Sequence, residues 1–258
     1  MRAYVINLRR RPDRREQFLR WNANKGLTFE FLDAVDGQQL VETDLIERKL
    51  LSVNPTRFRR GAVGNTLSHR AAWEMAVERK ESILIFEDDA YIHKSCGTFY
   101  KKYSKYLDLG LDILYLGYNR DEAILIRYAP GAWSTVSFQK PQKDFHRFTS
   151  DYDAQGSYYE TRTYGVRLLW GTFGYVVSPK GAAALLESCF PLSSDDDIVM
   201  VGQNRRLKPY TLDGMVNVLL QRGQVKGRCF FPPLVIGPNE HGDSDVVTKA
   251  APAMGAGL

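Results

Sequence analysis

Residues 82–92, SILIFEDDAYI, constrain the fold more than any other stretch of the chain. An apolar run, Ile83-Leu84-Ile85-Phe86, stops abruptly at three carboxylates, Glu87, Asp88 and Asp89. The run reads as a strand driven through a core. Adjacent carboxylates repel, and a fold tolerates them where solvent screens them or where a cation sits among them. In open α/β sheets, ligands occupy the crevice beyond the carboxyl ends of the strands, where these three residues fall. Hard oxygen ligands suit Mg²⁺, Mn²⁺ or Ca²⁺, and such an ion could hold a diphosphate. On spacing alone, an acidic loop facing water explains the triplet as well.

The flanking pattern supplies the rest of the sheet. RAYVINL reads as a buried strand, and RRRPDRREQFLRWNANKG as a helix with Pro12 at its first position and Gly26 past its end. TFEFLDAVDG returns to a strand and turns at Asp36-Gly37, which completes a unit of βαβ size. Residues 40–60 read as a charged connector with a short helix. GNTLSHRAAWEMAVERKE reads as a longer helix capped by Asn65 or Thr66. LDILYLGY, residues 111–118, is a second mostly apolar strand, as expected of a sheet covered on both faces. Residues 119–165 lose the pattern and read as a long loop or small subdomain. VRLLWGTFGYVVS restores strand character, and SPKGAAALLESCF is a helix with Ser178 as cap. PLSSDDDIVMVGQNRRL places an acidic triplet at a loop-to-helix start, FFPPLVIG is a late extended piece, and residues 249–258 read as a loose tail. Alternating strands and helices specify α/β with a largely parallel sheet, and 258 residues suit one large domain or two small ones; the expectation is a single domain, residues 1–248.

The formal net charge is +5, and the positive charge is clustered. Arg9, Arg10, Arg11, Arg14 and Arg15 form one group, Arg57, Arg59 and Arg60 a second, and Arg205, Arg206 and Lys208 a third. Such clusters suit phosphate oxygens, or are solvated faces. Cys96, Cys189 and Cys229 are widely spaced, without a CxxC pair, and read as structural thiols in a reducing compartment. The N-terminus does not read as a signal peptide, and no stretch approaches the roughly 18 apolar residues of a membrane span. The expectation is a cytoplasmic protein, with peripheral contact to an anionic membrane left open. The modest net charge and the lack of a recognised nucleic-acid module argue against a nucleic-acid partner.

YVINLRRRPDRR, LDAVDG, GAVGNTLSHRAAWEMA, ILIFEDDAYI, LDILYLG, WGTFGYVVSPKGAAALL and PPLV followed by SD occur in one order. In that order they resemble glycosyltransferase family 25, which includes bacterial lipooligosaccharide galactosyltransferases and collagen hydroxylysine galactosyltransferases. The resemblance spans residues 3 to about 246. It implies a Rossmann-like GT-A fold, a UDP-sugar donor (galactose above all), Mn²⁺ or Mg²⁺, and transfer with inversion at the sugar carbon. The acceptor it implies is a hydroxyl of a glycan, a lipid-linked glycan of lipopolysaccharide type, or a hydroxylysine-like peptide side chain.

On this resemblance Glu87 and Asp89 are the outer positions of a metal-binding DxD-like motif, with Asp88 between them able to contact donor ribose or sugar. His241, with Asp243 and Asp245 nearby, is a candidate late metal ligand, or a solvent-exposed turn. Asp196 is the candidate base or acceptor-orienting residue and Asp197 its alternative, with Asp195 an extra acid; helix capping is the competing reading for each of the three. Asn7 and Leu8 leave the sheet where the nucleotide should sit, with Arg10 and Arg14 within reach of base, ribose or phosphate. Asp36 and Gly37 line the nucleotide pocket or make a plain turn. Gly64, Ser68 and His69 open a helix whose N-terminus suits an anion. Gly171 and Thr172 wall the donor-sugar pocket. The resulting expectation is an inverting, metal-dependent hexosyltransferase. The alternatives are a metal-dependent nucleotidyl- or phosphotransferase, and a non-catalytic sugar- or nucleic-acid-binding protein on the same fold.

Overall fold

The computed structural model describes residues 2–54, 56–138, 149, 152 and 161–238. It opens with strand β1 (Arg2–Asn7), helix α1 (Pro12–Trp21) and strand β2 (Thr28–Asp33), with the two strands parallel in register from Arg2↔Thr28 to Asn7↔Asp33. Helix α1 starts on Pro12 and carries Asp13 in its first turn and Arg20 in its last, matching the helix dipole. A single 3-10 turn, Gly37–Gln39, then leads to α2 (Glu42–Glu47) and the long α3 (Arg60–Arg79). Strands β3 (Ile83–Glu87) and β4 (Tyr91–Ile92) follow, then α4 (Cys96–Tyr103), α5 (Lys105–Asp108), β5 (Ile113–Gly117), β6 (Ile124–Ala129) and β7 (Ala132–Val136). The described chain resumes with β8 (Arg162–Leu168), β9 (Gly174–Val177), α6 (Pro179–Ser188), β10 (Ile198–Met200), β11 (Arg205–Leu207), α7 (Leu212–Arg222), β12 (Gly227–Phe231) and β13 (Val235–Ile236).

The main sheet runs β2-β1-β3-β9-β5-β12-β8-β6-β7, with β13 and β4 attached beside β5. Strands β2, β1, β3, β5, β12 and β6 point one way, and β9, β8 and β7 the other. The result is a mostly parallel mixed sheet in a single α/β domain. The continuous apolar runs are explained by their two faces. On β3, Ile83 and Ile85 enter the core shared with α3, α6 and α7, while Leu84 and Phe86 enter the core shared with α1 and α4. Strand β5 divides in the same way, Ile113 and Tyr115 to one side and Leu114 and Leu116 to the other. Cys96, Cys189 and Cys229 are free and buried in these cores. Among the described residues no helix is long and apolar enough to cross a membrane.

Several elements differ from the sequence expectation. Helix α3 begins at Arg60, behind the N-cap Arg59, so Gly64, Asn65, Ser68 and His69 lie inside it and not at its start. Residues 124–136 form the β6–β7 hairpin within the stretch read as loop or subdomain. The acidic triplet leads into the β10–β11 hairpin, not a helix; Gly202 (φ 83°) and Asn204 (φ 46°) turn it. Helix α7 was not anticipated, although Asp213 in its first turn, Arg222 in its last and Gly223 at φ 72° mark both ends. The proposed tail, 249–258, lies outside the described residues.

Candidate active site

The strand period decides which neighbour each carboxylate meets. Glu87 continues the Ile83, Ile85 face and so points toward α3. Its Oε1 accepts from Thr172 Oγ1 at 2.5 Å, His69 Nε2 at 3.2 Å and Asn65 Nδ2 at 3.4 Å. Among the described residues its Oε2 receives no hydrogen bond. Burial pushes the Glu87 carboxyl up, but the His69, Thr172 and Asn65 donors outweigh it and hold the group below the usual carboxylate range.

Asp88 continues the Leu84, Phe86 face and meets α1 and the end of β1. Its Oδ2 accepts from Asn7 Nδ2 at 2.7 Å and its Oδ1 from Arg14 Nη1 at 2.8 Å. Asn7 also donates to the Arg11 carbonyl at 3.2 Å, which pins the turn before α1. Asp88 is buried, and desolvation raises its pKa against the pull of Arg14 and Asn7. With both oxygens engaged, Asp88 ties β1, α1 and β3 together.

Asp89 stands in the turn closed by Ala90 N to Glu87 O at 3.2 Å. Its Oδ1 is buried and has no hydrogen-bond partner among the described residues. Burial, then the charges of Glu87 and Asp88, push its carboxyl up to about 8. A carboxylate with one buried oxygen unpartnered beside two other carboxylates is relieved by a proton or a cation. Among the described residues no three His, Cys, Asp or Glu side chains converge to hold a metal ion. A divalent ion here would have to be held by one or two carboxylates together with substrate phosphates.

The loop before β9 forms the other wall. Gly171 adopts φ 81°, open to glycine at little cost, and a Cβ there would sit 3.0 Å from Asn119 N. Its N–H donates to Asp213 Oδ2 at 2.7 Å, and the next residue, Thr172, reaches Glu87. Asp213 also accepts from Gly214 N at 2.9 Å and from Thr211 Oγ1, while burial raises its pKa. Sequence reasoning missed Asp213 because it missed α7; its place in the first turn behind Thr211 was the available signal.

The remaining expected residues fall as follows. Leu8 is half-buried in the turn that its carbonyl closes with Arg11 N at 2.8 Å. Arg10 pairs with Asp36 through Nε at 2.8 Å; Asp36, held below its ordinary range by Arg10, also accepts from Gln38 N. A Cβ on Gly37 would meet Arg60 O at 2.3 Å, and one on Gly64 would meet Gly37 N at 2.7 Å. These two glycines let α3 and the Asp36 loop touch backbone to backbone. Ser68 Oγ donates to Gly64 O at 2.7 Å and accepts from Val35 N at 2.8 Å, fastening the same contact. Gly64, Ser68 and His69 therefore form no helix-start anion site, because α3 starts earlier and uses their N–H groups internally. Asp196 pairs with Arg222, and Asp197 with Lys208 at 3.1 Å and Arg206 at 3.3 Å. No hydrogen bond or ion pair among the described residues links them to the carboxylate cluster. His241 lies outside the described residues.

Comparison with known proteins places these features in context. The family model described as glycosyltransferase family 25 (LPS biosynthesis protein) matches residues 1–200. Procollagen galactosyltransferase 2 of Homo sapiens is 28% identical over 200 residues, which cover 71% of this chain and 27% of that protein. A glycosyltransferase 25 family member of Aedes aegypti is 30% identical over 194 residues, 71% of this chain and 27% of that protein. The human protein named inactive glycosyltransferase 25 family member 3 is 31% identical over 126 residues, 45% of this chain and 21% of its own length. The matched region thus spans about a quarter of the length of these relatives.

Proposed function

The chain belongs to glycosyltransferase family 25, and on that premise we propose that it transfers a hexose from a uridine-diphosphate sugar to a hydroxyl acceptor. Galactose is the first candidate, since relatives are named galactosyltransferases. The acceptor class, a glycan, lipid-linked glycan or peptide hydroxyl, and inversion at the sugar carbon rest on the family resemblance. The single observation that carries the reading is Asp89 Oδ1, buried without a partner at the carboxyl end of β3.

Asp89 and Glu87, through its Oε2, would hold Mn²⁺ or Mg²⁺. When bound, such an ion neutralises charge on the diphosphate leaving group. Thr172, His69 and Asn65 keep Glu87 ionised and fix its orientation. Arg14 pairs with Asp88 and Asn7 hydrogen-bonds it, so three adjacent carboxylates do not present three unscreened charges. Asp213 holds the Gly171 N–H, which sets the position of Thr172. Asp196, with Asp197 as alternative, is the proposed proton acceptor on the resemblance alone; its exposed pair with Arg222 must open for that role.

The test is UDP release from a panel of UDP-hexoses, with Mn²⁺, with and without hydroxyl acceptors. Turnover of UDP-galactose that chelator abolishes, and that Asp89→Asn lacks while remaining folded, supports the reading. No turnover of any UDP-hexose by the wild type, with each acceptor class supplied, overturns it and aligns the chain with the relative named inactive.

A further inference from the structure

Behind Glu87 lies a chain of buried polar groups that the mechanism above uses only at its last member. Trp73 Nε1 donates to Tyr175 Oη at 2.9 Å, Tyr175 Oη meets His69 Nδ1 at 2.8 Å, and His69 Nε2 meets Glu87 Oε1 at 3.2 Å. Trp73, Tyr175 and His69 are 1%, 2% and 0% exposed, so bulk solvent does not reach them. The chemistry of the end groups fixes the direction of the first and last bonds. An indole N–H only donates, so Tyr175 Oη accepts from Trp73 and has its own proton to give. An ionised carboxylate only accepts, so the ring nitrogen facing Glu87 must carry a hydrogen. With a hydrogen on Nε2, Nδ1 can accept the proton that Tyr175 Oη has to give. The three elements involved are the middle of α3, strand β9 and the end of β3, all rigid parts of one core.

We propose that His69 is a positioning residue for Glu87: Trp73 and Tyr175 lock it as the Nε2–H tautomer, and that hydrogen bond occupies Oε1 and leaves Oε2 for a divalent cation. This rests on the metal reading given above. A fixed second ring of hydrogen bonds around a ligating carboxylate typically contributes about 10- to 100-fold in metal affinity. Purely structural glue would stabilise the fold without that specificity.

The experiment uses the full chain and Mn²⁺ itself as probe, read by the loss of the free-ion electron paramagnetic resonance signal, alone and with UDP. Thermal melts establish that each variant is folded. His69→Leu is expected to weaken Mn²⁺ binding by about 10- to 100-fold. His69→Gln, whose amide can donate to the same oxygen, recovers most of the loss, and Tyr175→Phe falls between. Nitrogen-15 spectra of the metal-free wild type should show His69 held as the Nε2–H tautomer, a readout independent of metal and activity. A folded His69→Leu protein that binds Mn²⁺ like the wild type overturns the inference and leaves the metal reading standing. A wild type that binds no Mn²⁺ with or without UDP overturns both. If His69→Leu does not fold, Tyr175→Phe decides, and unchanged affinity there, or a Nδ1–H tautomer in the wild type, overturns the proposal.

Discussion

Replacing Asp89 by Asn should make the metal-free protein more stable while removing the proposed metal site. The Asp89 carboxyl is raised from 3.8 to about 8 in the fold, so the folded chain holds this proton more tightly than the unfolded chain does. The contribution of Asp89 to stability is therefore full below about pH 4 and declines as pH rises toward about 8. That interval spans about four pH units at ~1.4 kcal/mol each, a ceiling on the order of 5 kcal/mol. The asparagine amide must itself be desolvated, and Glu87 relaxes when its neighbour's charge disappears, so about half the ceiling, 2–3 kcal/mol, is expected at pH 8. At pH 5 the same reasoning gives less than about 1 kcal/mol. Urea denaturation with chelator at both pH values measures the difference, and at pH 8 it corresponds to a rise in Tm of about 5–10 °C. With Mn²⁺ and UDP present at about 1,000 times the Kd the order should reverse, because such binding stabilises the wild type by about 4.1 kcal/mol. A gain that is the same at pH 5 and pH 8, or a loss of stability at pH 8, refutes the reasoning.

Gly64→Ala places a Cβ 2.7 Å from Gly37 N and Val35 O, and should cost about 2 kcal/mol or more in a urea titration. UDP affinity per folded molecule, measured by calorimetry, should not change, since this glycine serves packing. Arg14→Ala leaves the buried Asp88 carboxylate with Asn7 alone, and should destabilise by about 3 kcal/mol at pH 7. Its loss should shrink in acid, as measured by the same titration at pH 4, where Asp88 takes a proton. Asp196→Ala removes an exposed pair with Arg222 and should change stability by under about 1 kcal/mol. A large loss of transfer in that folded variant would place the proton acceptor there; transfer within a few-fold of wild type would remove Asp196 from that role.

What the sequence made legible follows the range of the interactions involved. Strands β3 and β5 stood out because runs such as Ile83–Phe86 are apolar on both faces, which a sheet covered by helices requires. Helix α6 was legible because Ser178 caps it, accepting from Gly181 N at 3.0 Å, and Pro179 opens it. The start of α3 was misplaced because Gly61 and Gly64 look like punctuation, whereas Gly64 is there so that a distant backbone can approach. The three carboxylates were visible, but their separate states were not. Those depend on Arg14, 74 residues from Asp88, and on Thr172, 85 residues from Glu87. Nothing local in EDD says that Asp88 is hydrogen-bonded on both oxygens while Asp89 Oδ1 is left without a partner.

The most direct test of the central claim is calorimetric titration of UDP into the full chain, with Mn²⁺ and then with chelator, for the wild type and Asp89→Asn. The account predicts binding by the wild type that requires the metal and is lost in Asp89→Asn. Metal-independent binding, or equal metal-dependent binding by both proteins, would contradict it, and the carboxyl end of β3 would then be an acidic turn with no part in holding the donor.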